Sequence, residues 1–196
     1  MKFFKQVLLI FTAVCILSPI NHAVASVAQE QLQTTIDQIL DILKDPALKG
    51  DENTEKRRTR LKDKISERFD FEKMSKSSVA KNLWKSGTQE EKKEFIKLFS
   101  QLLEDTYISK IESYTNEKIV YVKDDVKDKK ATIDTKIITD TNEIPINYSL
   151  YQAEGNVWKV QNIQVVGLNL VGNYRAQFKS IRTFDKLLET LKKKLE

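Results

Sequence analysis

The spacing of apolar residues changes twice along this chain, and these changes restrict the fold more than any other feature. Between Ala28 and Tyr114, apolar residues recur every three or four positions, as in amphipathic helices. Between Ile119 and Val166 they alternate with polar residues, as in strands, and from Tyr174 the helical spacing returns. This order predicts an α+β fold: a curved antiparallel sheet of about four strands, covered by N-terminal helices and a long C-terminal helix.

The helices before the sheet have recognisable starts. Thr88 followed by Glu91 is a capping box, which predicts the beginning of the longest helix. Asp70 is placed to cap a shorter one. The expected helices are 28–43, about 54–68, a short one after Asp70, a short one ending at Ser86-Gly87, and the long one that begins at Thr88 and reaches Tyr114.

The strands follow from the alternation. They are predicted over 119–122, 131–138, 144–151 and 157–166, with turns at 124–128, 140–142 and 154–156. Connections this short require successive strands to pair antiparallel. One face of the third strand is expected to carry its apolar side chains, Ile144, Ile146, Tyr148 and Leu150.

The first residues have the pattern of a secretory signal peptide. Lys2 and Lys5 precede an apolar run over 7–17, and Ala23-Val24-Ala25 suits signal peptidase. The run is shorter than the roughly 20 residues that span a bilayer, which argues against an uncleaved anchor. We therefore expect cleavage after Ala25, export to the periplasm, and a single domain over 26–196.

Cysteine and histidine are expected to be missing from the exported chain. Cys15 and His22 are the only residues of their types, and both lie in the predicted signal peptide. This excludes Cys-His and Ser-His-Asp catalysis and the usual zinc sites, so we expect no metal and no cofactor. A secreted hydrolase that uses two carboxylates stays open, with candidates Asp70, Glu72, Asp105, Asp134 and Glu143.

Charge argues against a nucleic-acid partner. The sequence has 33 basic and 28 acidic residues; removing Lys2 and Lys5 leaves 31 against 28, a net charge of +3. The basic clusters lie beside acidic residues on predicted helices, whereas nucleic-acid binding needs one strongly cationic face.

Gly167 and Gly172 are spaced like the glycines of a phosphate-binding loop. Such a loop needs a lysine and then a serine or threonine after its second glycine, and Asn173 and Tyr174 stand there instead. We expect Gly172 to let the chain turn and Asn173 to cap the last helix.

Several segments together resemble the MlaC/toluene-tolerance family of periplasmic phospholipid-binding proteins. The segments are Arg68-Phe69-Asp70-Phe71-Glu72-Lys73-Met74, Trp84 with Thr88-Gln89-Glu90-Glu91 and the following helix, Trp158-Lys159-Val160, and Val165-Val166-Gly167 through Asn173-Tyr174-Arg175 to Phe178. The likeness spans about 30–195. Gln161-Asn162 and Asn169 depart from the family pattern, which has Tyr-Asp and Ser at these places.

The resemblance implies an α+β carrier, not an enzyme, that holds phospholipid tails between sheet and helices. It would shuttle lipid between an outer-membrane lipoprotein complex and an inner-membrane ABC transporter complex, maintaining outer-membrane asymmetry, and we expect a monomer. A carrier of another lipid, such as a hopanoid, is the alternative. Apolar faces and position make the pocket candidates Phe71, Met74, Trp84, Phe95, Phe99, Tyr107, Tyr148, Leu150, Val166, Leu168 and Leu170, with Arg175 near a helix N-terminus for the headgroup phosphate.

Overall fold

The computed structural model describes residues 25–114 and 117–196, so the predicted signal peptide, apart from Ala25, lies outside the described residues. The helices are α1 Val27–Lys44, α2 Thr54–Arg68, α3 Phe71–Ser77, α4 Lys81–Ser86, α5 Gln89–Glu112, α6 Leu170–Gln177 and α7 Phe184–Leu195. The strands are β1 Lys118–Lys127, β2 Lys130–Ile138, β3 Glu143–Gln152, β4 Trp158–Val165 and β5 Leu168–Asn169. They form one antiparallel sheet in the order β1-β2-β3-β4-β5, which confirms the predicted α+β fold.

Local sequence determines where two of the helices begin. Asp70 accepts a hydrogen bond from the backbone N–H of Lys73 at 2.8 Å and caps α3. Thr88 accepts from the N–H of Glu91 at 3.2 Å, and the Glu91 carboxylate accepts from the N–H of Thr88 at 2.7 Å. Both predicted caps are confirmed because each side chain satisfies a backbone donor that the first helical turn leaves unpaired.

The prediction of one long C-terminal helix was wrong, since α6 and α7 are separate. Asn169, not Asn173, caps the first of them by accepting from the N–H of Gly172 at 2.7 Å, and Gly172 lies inside the helix. Phe178 ends α6 and is buried in the core, and Thr183 caps α7. The helical spacing of apolar residues continues across this break and therefore conceals it.

The sheet also differs from the prediction in two places. β1 continues through the predicted turn at 124–128 to Lys127, and the connection to β2 occupies only 128–129. A bulge between Tyr121 and Lys123 shifts the register and interrupts the alternation, which made the strand look shorter. A fifth, two-residue strand follows a tight turn at Val166-Gly167.

Buried apolar residues form two separate clusters. The helical core is built by α3–α7 and comprises Met74, Val79, Leu83, Phe95, Phe99, Leu102, Leu103, Leu170, Val171, Tyr174, Phe178, Phe184, Leu187, Leu188 and Leu191. The sheet core lies between α1 and the sheet and comprises Ala28, Leu32, Ala131, Ile133, Leu150, Trp158 and Val160. Phe69 and Ile163 pack against both clusters and join them.

Candidate functional site

The helix-facing side of the sheet carries four rows of side chains that run across the strands. Residues directly opposite one another in an antiparallel pair share a face, so the strand register defines the rows. They are row 1, Ile119, Ile137 and Ile144; row 2, Tyr121, Thr135, Ile146 and Val165; row 3, Asp124, Ile133, Tyr148 and Ile163; and row 4, Val126, Ala131, Leu150 and Val160.

In β2, β3 and β4 the apolar side chains become less buried from row 4 to row 1, whereas Val126 of row 4, on the edge strand, is 40% exposed and the polar Thr135 of row 2 is buried. Leu150 and Val160 of row 4 and Ile133 of row 3 have no exposed surface, because α1 packs over them through Ala28 and Leu32. All three isoleucines of row 1 are only half-buried, as are Tyr121, Ile146 and Val165 of row 2. We call rows 1 and 2 the sheet wall. Its apolar side chains are turned toward the helices yet are incompletely covered, which is the arrangement that a hydrophobic ligand can complete.

One polar atom of the sheet wall lacks a hydrogen-bond partner within residues 25–114 and 117–196. The Tyr121 hydroxyl oxygen is buried and makes no hydrogen bond in the described part of the chain. Burial raises the pKa of Tyr121, and the nearby Tyr148 and Asp37 raise it further. Burial also raises the pKa of Tyr148 to about 12, so both phenols stay protonated at neutral pH. A buried donor left unpaired is unfavourable, so an acceptor brought by a ligand would stabilise this site.

Most of the pocket candidates inferred from the sequence lie in or against the helical core. Phe95 and Phe99 are fully buried there, with ring centroids 5.7 Å apart. Met74 and Leu170 are buried in the same cluster, and Phe71, Trp84 and Tyr107 pack against it. Two candidates belong to the rows of the sheet, Tyr148 in row 3 and Leu150 in row 4.

Three further candidates lie at the surface. Val166 is 68% exposed at the turn between β4 and β5, and Leu168 is 56% exposed just after it. Arg175 is exposed in the last turn of α6, so it is not beside the N-terminus of that helix as the sequence suggested. The four isoleucines and one valine of the sheet wall, and Tyr121, were not among the candidates, although the alternation in β2 and β3 could have identified several of them.

The carboxylates proposed for a hydrolase mostly have other partners. Asp70 caps α3 and accepts a hydrogen bond from the Tyr151 hydroxyl. Asp134 accepts from the Asn147 amide. Ion pairs occupy the next two, Lys62 with Asp105 at 3.3 Å and Lys136 with Glu143 at 2.6 Å. Within residues 25–114 and 117–196, no three His, Cys, Asp or Glu side chains are grouped so as to hold a metal ion.

Two departures from the resembled family pattern support the start of α6. Asn162 accepts from the N–H of Val171 at 3.2 Å, and Asn169 accepts from that of Gly172 at 2.7 Å. The aspartate and serine of the family pattern also carry side-chain oxygens that can accept such bonds. These substitutions therefore keep an acceptor at both places where the chain turns from the sheet into α6.

None of the helices within the described ranges has the length and apolar character needed to cross a membrane.

Comparisons with known proteins agree with this architecture. The family model described as MlaC protein matches residues 33–193. The chain is similar in structure to the phospholipid-binding protein from Ralstonia solanacearum, which was solved in complex with a phospholipid. The TM-score is 0.77 at 23% sequence identity, and the match covers 85% of this chain and 96% of that one. No curated protein matches the sequence.

Proposed function

Because the chain belongs to the MlaC family, we propose that it is a periplasmic phospholipid carrier. It takes lipid by its acyl tails and moves it between an outer-membrane lipoprotein complex and an inner-membrane ABC transporter complex, which maintains the lipid asymmetry of the outer membrane. The family, and the phospholipid bound to a protein of the same fold, support a lipid ligand. Transport, partners and a monomeric state belong to the proposal.

The observation that carries this proposal is the decrease in burial across the sheet. Each methylene moved from water to an apolar environment gains about 0.8 kcal/mol, so a two-tailed lipid needs continuous cover outside a bilayer. The half-buried isoleucines of row 1 offer such cover, and they lie on the same side of the sheet as the buried Ile133 and Leu150. We place the tails against the sheet wall, where Tyr121 can donate its hydroxyl hydrogen to an ester carbonyl.

A carrier fits the polar groups better than a hydrolase does. A two-carboxylate enzyme needs an acid and a base on opposite sides of one bond. Here Asp70 caps α3 and accepts a hydrogen bond from the Tyr151 hydroxyl, while Asp105 and Glu143 form ion pairs with lysines. These contacts give Asp70, Asp105 and Glu143 structural roles.

The main experiment compares two aliphatic residues of the sheet. Ile137→Asn places a polar amide in row 1, and Val122→Asn makes the same kind of change at a side chain that is 55% exposed. Protein purified from the periplasm would be examined by native mass spectrometry, and lipid uptake from phospholipid vesicles would be measured. We expect Ile137→Asn to lower bound phospholipid at least about fivefold, since even a single unfavourable polar group costs about 1 kcal/mol or more. The Val122→Asn control should retain its lipid.

Three outcomes would contradict different parts of the proposal. Ligand-free wild-type protein that takes up no phospholipid would reject the carrier function. Equal lipid content in the two variants would reject the sheet wall as the site while leaving the carrier function in place. A bound polycyclic lipid in place of phospholipid would assign the chain to another lipid class.

Arg175 remains the candidate for the headgroup phosphate. Its exposed guanidinium can reach a ligand only at the surface of the molecule. Arg175→Ala should weaken lipid retention, whereas Arg182→Ala, at another exposed arginine, should not. Unchanged retention in Arg175→Ala would remove this residue from the site.

A further inference from the structure

One side chain holds the beginning of α1 against the sheet. Both carboxylate oxygens of Asp124 accept hydrogen bonds from Ser26: Oδ2 from the backbone nitrogen at 2.6 Å and Oδ1 from the hydroxyl at 2.8 Å. The Ser26 hydroxyl oxygen also accepts from the N–H of Gln29 at 3.2 Å and caps α1. Ser26 and Asp124, which are 98 positions apart in sequence, are thus joined by two hydrogen bonds.

Ser26 directly follows the Ala23-Val24-Ala25 pattern that suits signal peptidase. We propose that the mature chain begins at Ser26 and that its new α-ammonium group forms an ion pair with Asp124. Cleavage would then convert the neutral backbone N–H of Ser26 into an ammonium group, beside the carboxylate of Asp124. The proposal concerns the processed N-terminus and does not depend on the identity of the ligand.

The chemistry of the cleavage supplies the charge. A membrane-bound signal peptidase adds water across the Ala25–Ser26 peptide bond, breaking the carbon–nitrogen bond. The hydroxyl of water joins the carbonyl carbon of Ala25, which leaves as a carboxylate. The nitrogen of Ser26 takes the remaining hydrogen and the proton released by that carboxyl group, so it becomes an ammonium.

The position of Asp124 explains why this pairing is favourable. The backbone N–H groups at a helix N-terminus carry a partial positive charge, so an ammonium there is unfavourable unless an anion lies beside it. Asp124 lies on the helix-facing side of β1, directly opposite Ile133, which has no exposed surface. A carboxylate turned toward an apolar core also needs a charged or hydrogen-bonding partner. Asp124 is therefore the anion that the new ammonium needs, and the ammonium is a charged partner for the Asp124 carboxylate.

The pair connects α1 to a strand at the edge of the sheet. β1 pairs with β2 on one side only, and it contributes Ile119 and Tyr121 to the sheet wall. The Asp124 carboxylate already accepts from the neutral amide of Ser26, and an ammonium in place of that amide adds the attraction between two opposite charges. Removal of the signal peptide therefore stabilises the contact between α1 and β1. Helix α1 is also the helix that covers the sheet core.

The N-terminus and the ion pair can be tested in one set of proteins. Chains that begin at Ser26 or at Ala25 would each be made with Asp124 and with Asp124→Asn, and their thermal unfolding compared. In the longer chain the nitrogen of Ser26 stays an amide and the ammonium moves one residue away. We expect Asp124→Asn to lower the midpoint of the Ser26 chain by about 3–6 °C and that of the Ala25 chain by less than half as much.

Two further measurements do not require the variant to fold. With Asp124 intact, the chain beginning at Ser26 should melt about 2–4 °C above the chain beginning at Ala25. N-terminal sequencing of the protein from the cell envelope should find Ser26 as the first residue. Equal melting of the two wild-type chains, equal effects of Asp124→Asn in both, or a different first residue would overturn the proposal.

Discussion

The helical core and the sheet core use apolar residues in different ways. In the helical core, aromatic rings contact one another directly: Phe99 lies 5.1 Å from Tyr174 and 5.7 Å from Phe95, measured between centroids. The sheet core is smaller, and next to it the sheet wall is half-buried and contains the Tyr121 hydroxyl, which has no hydrogen-bond partner among the described residues. A region whose contacts are complete within the chain serves as a scaffold, whereas one with incomplete contacts can accept a ligand.

This difference explains why most of the aromatic residues lie away from the half-buried rows of the sheet. Large rings are placed where close packing gives the greatest stabilisation, and here that is between helices. Row 1 instead consists of three partly buried isoleucines, whose remaining exposed surface can contact either water or an acyl chain.

The largest effect is expected from truncation within the helical core. Phe99→Ala should lower the free energy of unfolding by about 4 kcal/mol, because it leaves a cavity among fully packed rings. Ile144→Ala in row 1 should cost only about 1 kcal/mol, since this side chain is only partly buried in the ligand-free protein. Urea denaturation of the ligand-free proteins measures both values. Equal losses would show that the two regions are packed alike.

A smaller effect is expected at Glu112, which joins α5 to α2. Its carboxylate contacts Arg57 and Arg58, each at 2.9 Å. Burial raises the pKa of Glu112, but the two arginines outweigh burial and hold the pKa below its ordinary value of 4.5. Because the folded-state pKa is depressed, this stabilisation is present above pH 4.5 and is lost as the pH falls through the folded-state value.

Glu112→Gln should therefore lower the free energy of unfolding by about 2 kcal/mol at neutral pH. The difference from wild type should shrink when the same urea denaturation is repeated below pH 4.5. Glu189→Gln is the control, because that glutamate is 47% exposed on α7 and should change stability little. A pH-independent difference at Glu112 would contradict the ion-pair account.

A gain in stability is expected at the turn between β4 and β5. Val166 has φ 49°, a left-handed conformation that is strained for a β-branched residue. Asn156, at φ 61°, is a residue type that tolerates this region. Val166→Asn should raise the free energy of unfolding by about 1 kcal/mol. Val157→Asn, at an exposed valine with φ −87°, should give no such gain.

The smallest change in stability is expected at the sheet wall. Tyr121→Phe removes a buried hydroxyl without a partner among the described residues, so the ligand-free protein should gain about 0.5 kcal/mol. Tyr151→Phe is the control, because its hydroxyl donates to Asp70 and its removal should destabilise. If the Tyr121 hydroxyl meets a lipid carbonyl, Tyr121→Phe should also release phospholipid faster. A loss of stability in the ligand-free protein would show that this hydroxyl has a partner.

Local signals in the sequence predicted most elements but not all of their ends. Thr88 and Asp70 acted as the caps that their residue types suggested, because capping depends on neighbours within one turn. The ends of β1 and α6 were predicted wrongly. The β-bulge in β1 and the turn that buries Phe178 both depend on contacts with residues distant in the chain. The spacing of apolar residues along the sequence therefore does not predict either feature.

The sequence by itself determined the class of fold and the family resemblance, because the periods of 3.6 and 2 and the capping motifs are local properties. It also placed Ile144, Ile146, Tyr148 and Leu150 on one face of β3, and the strand register confirms that placement. Only the tertiary structure decided which apolar residues are covered. Burial depends on which helix packs over which row, and α1 covers rows 3 and 4 while leaving row 1 half-buried.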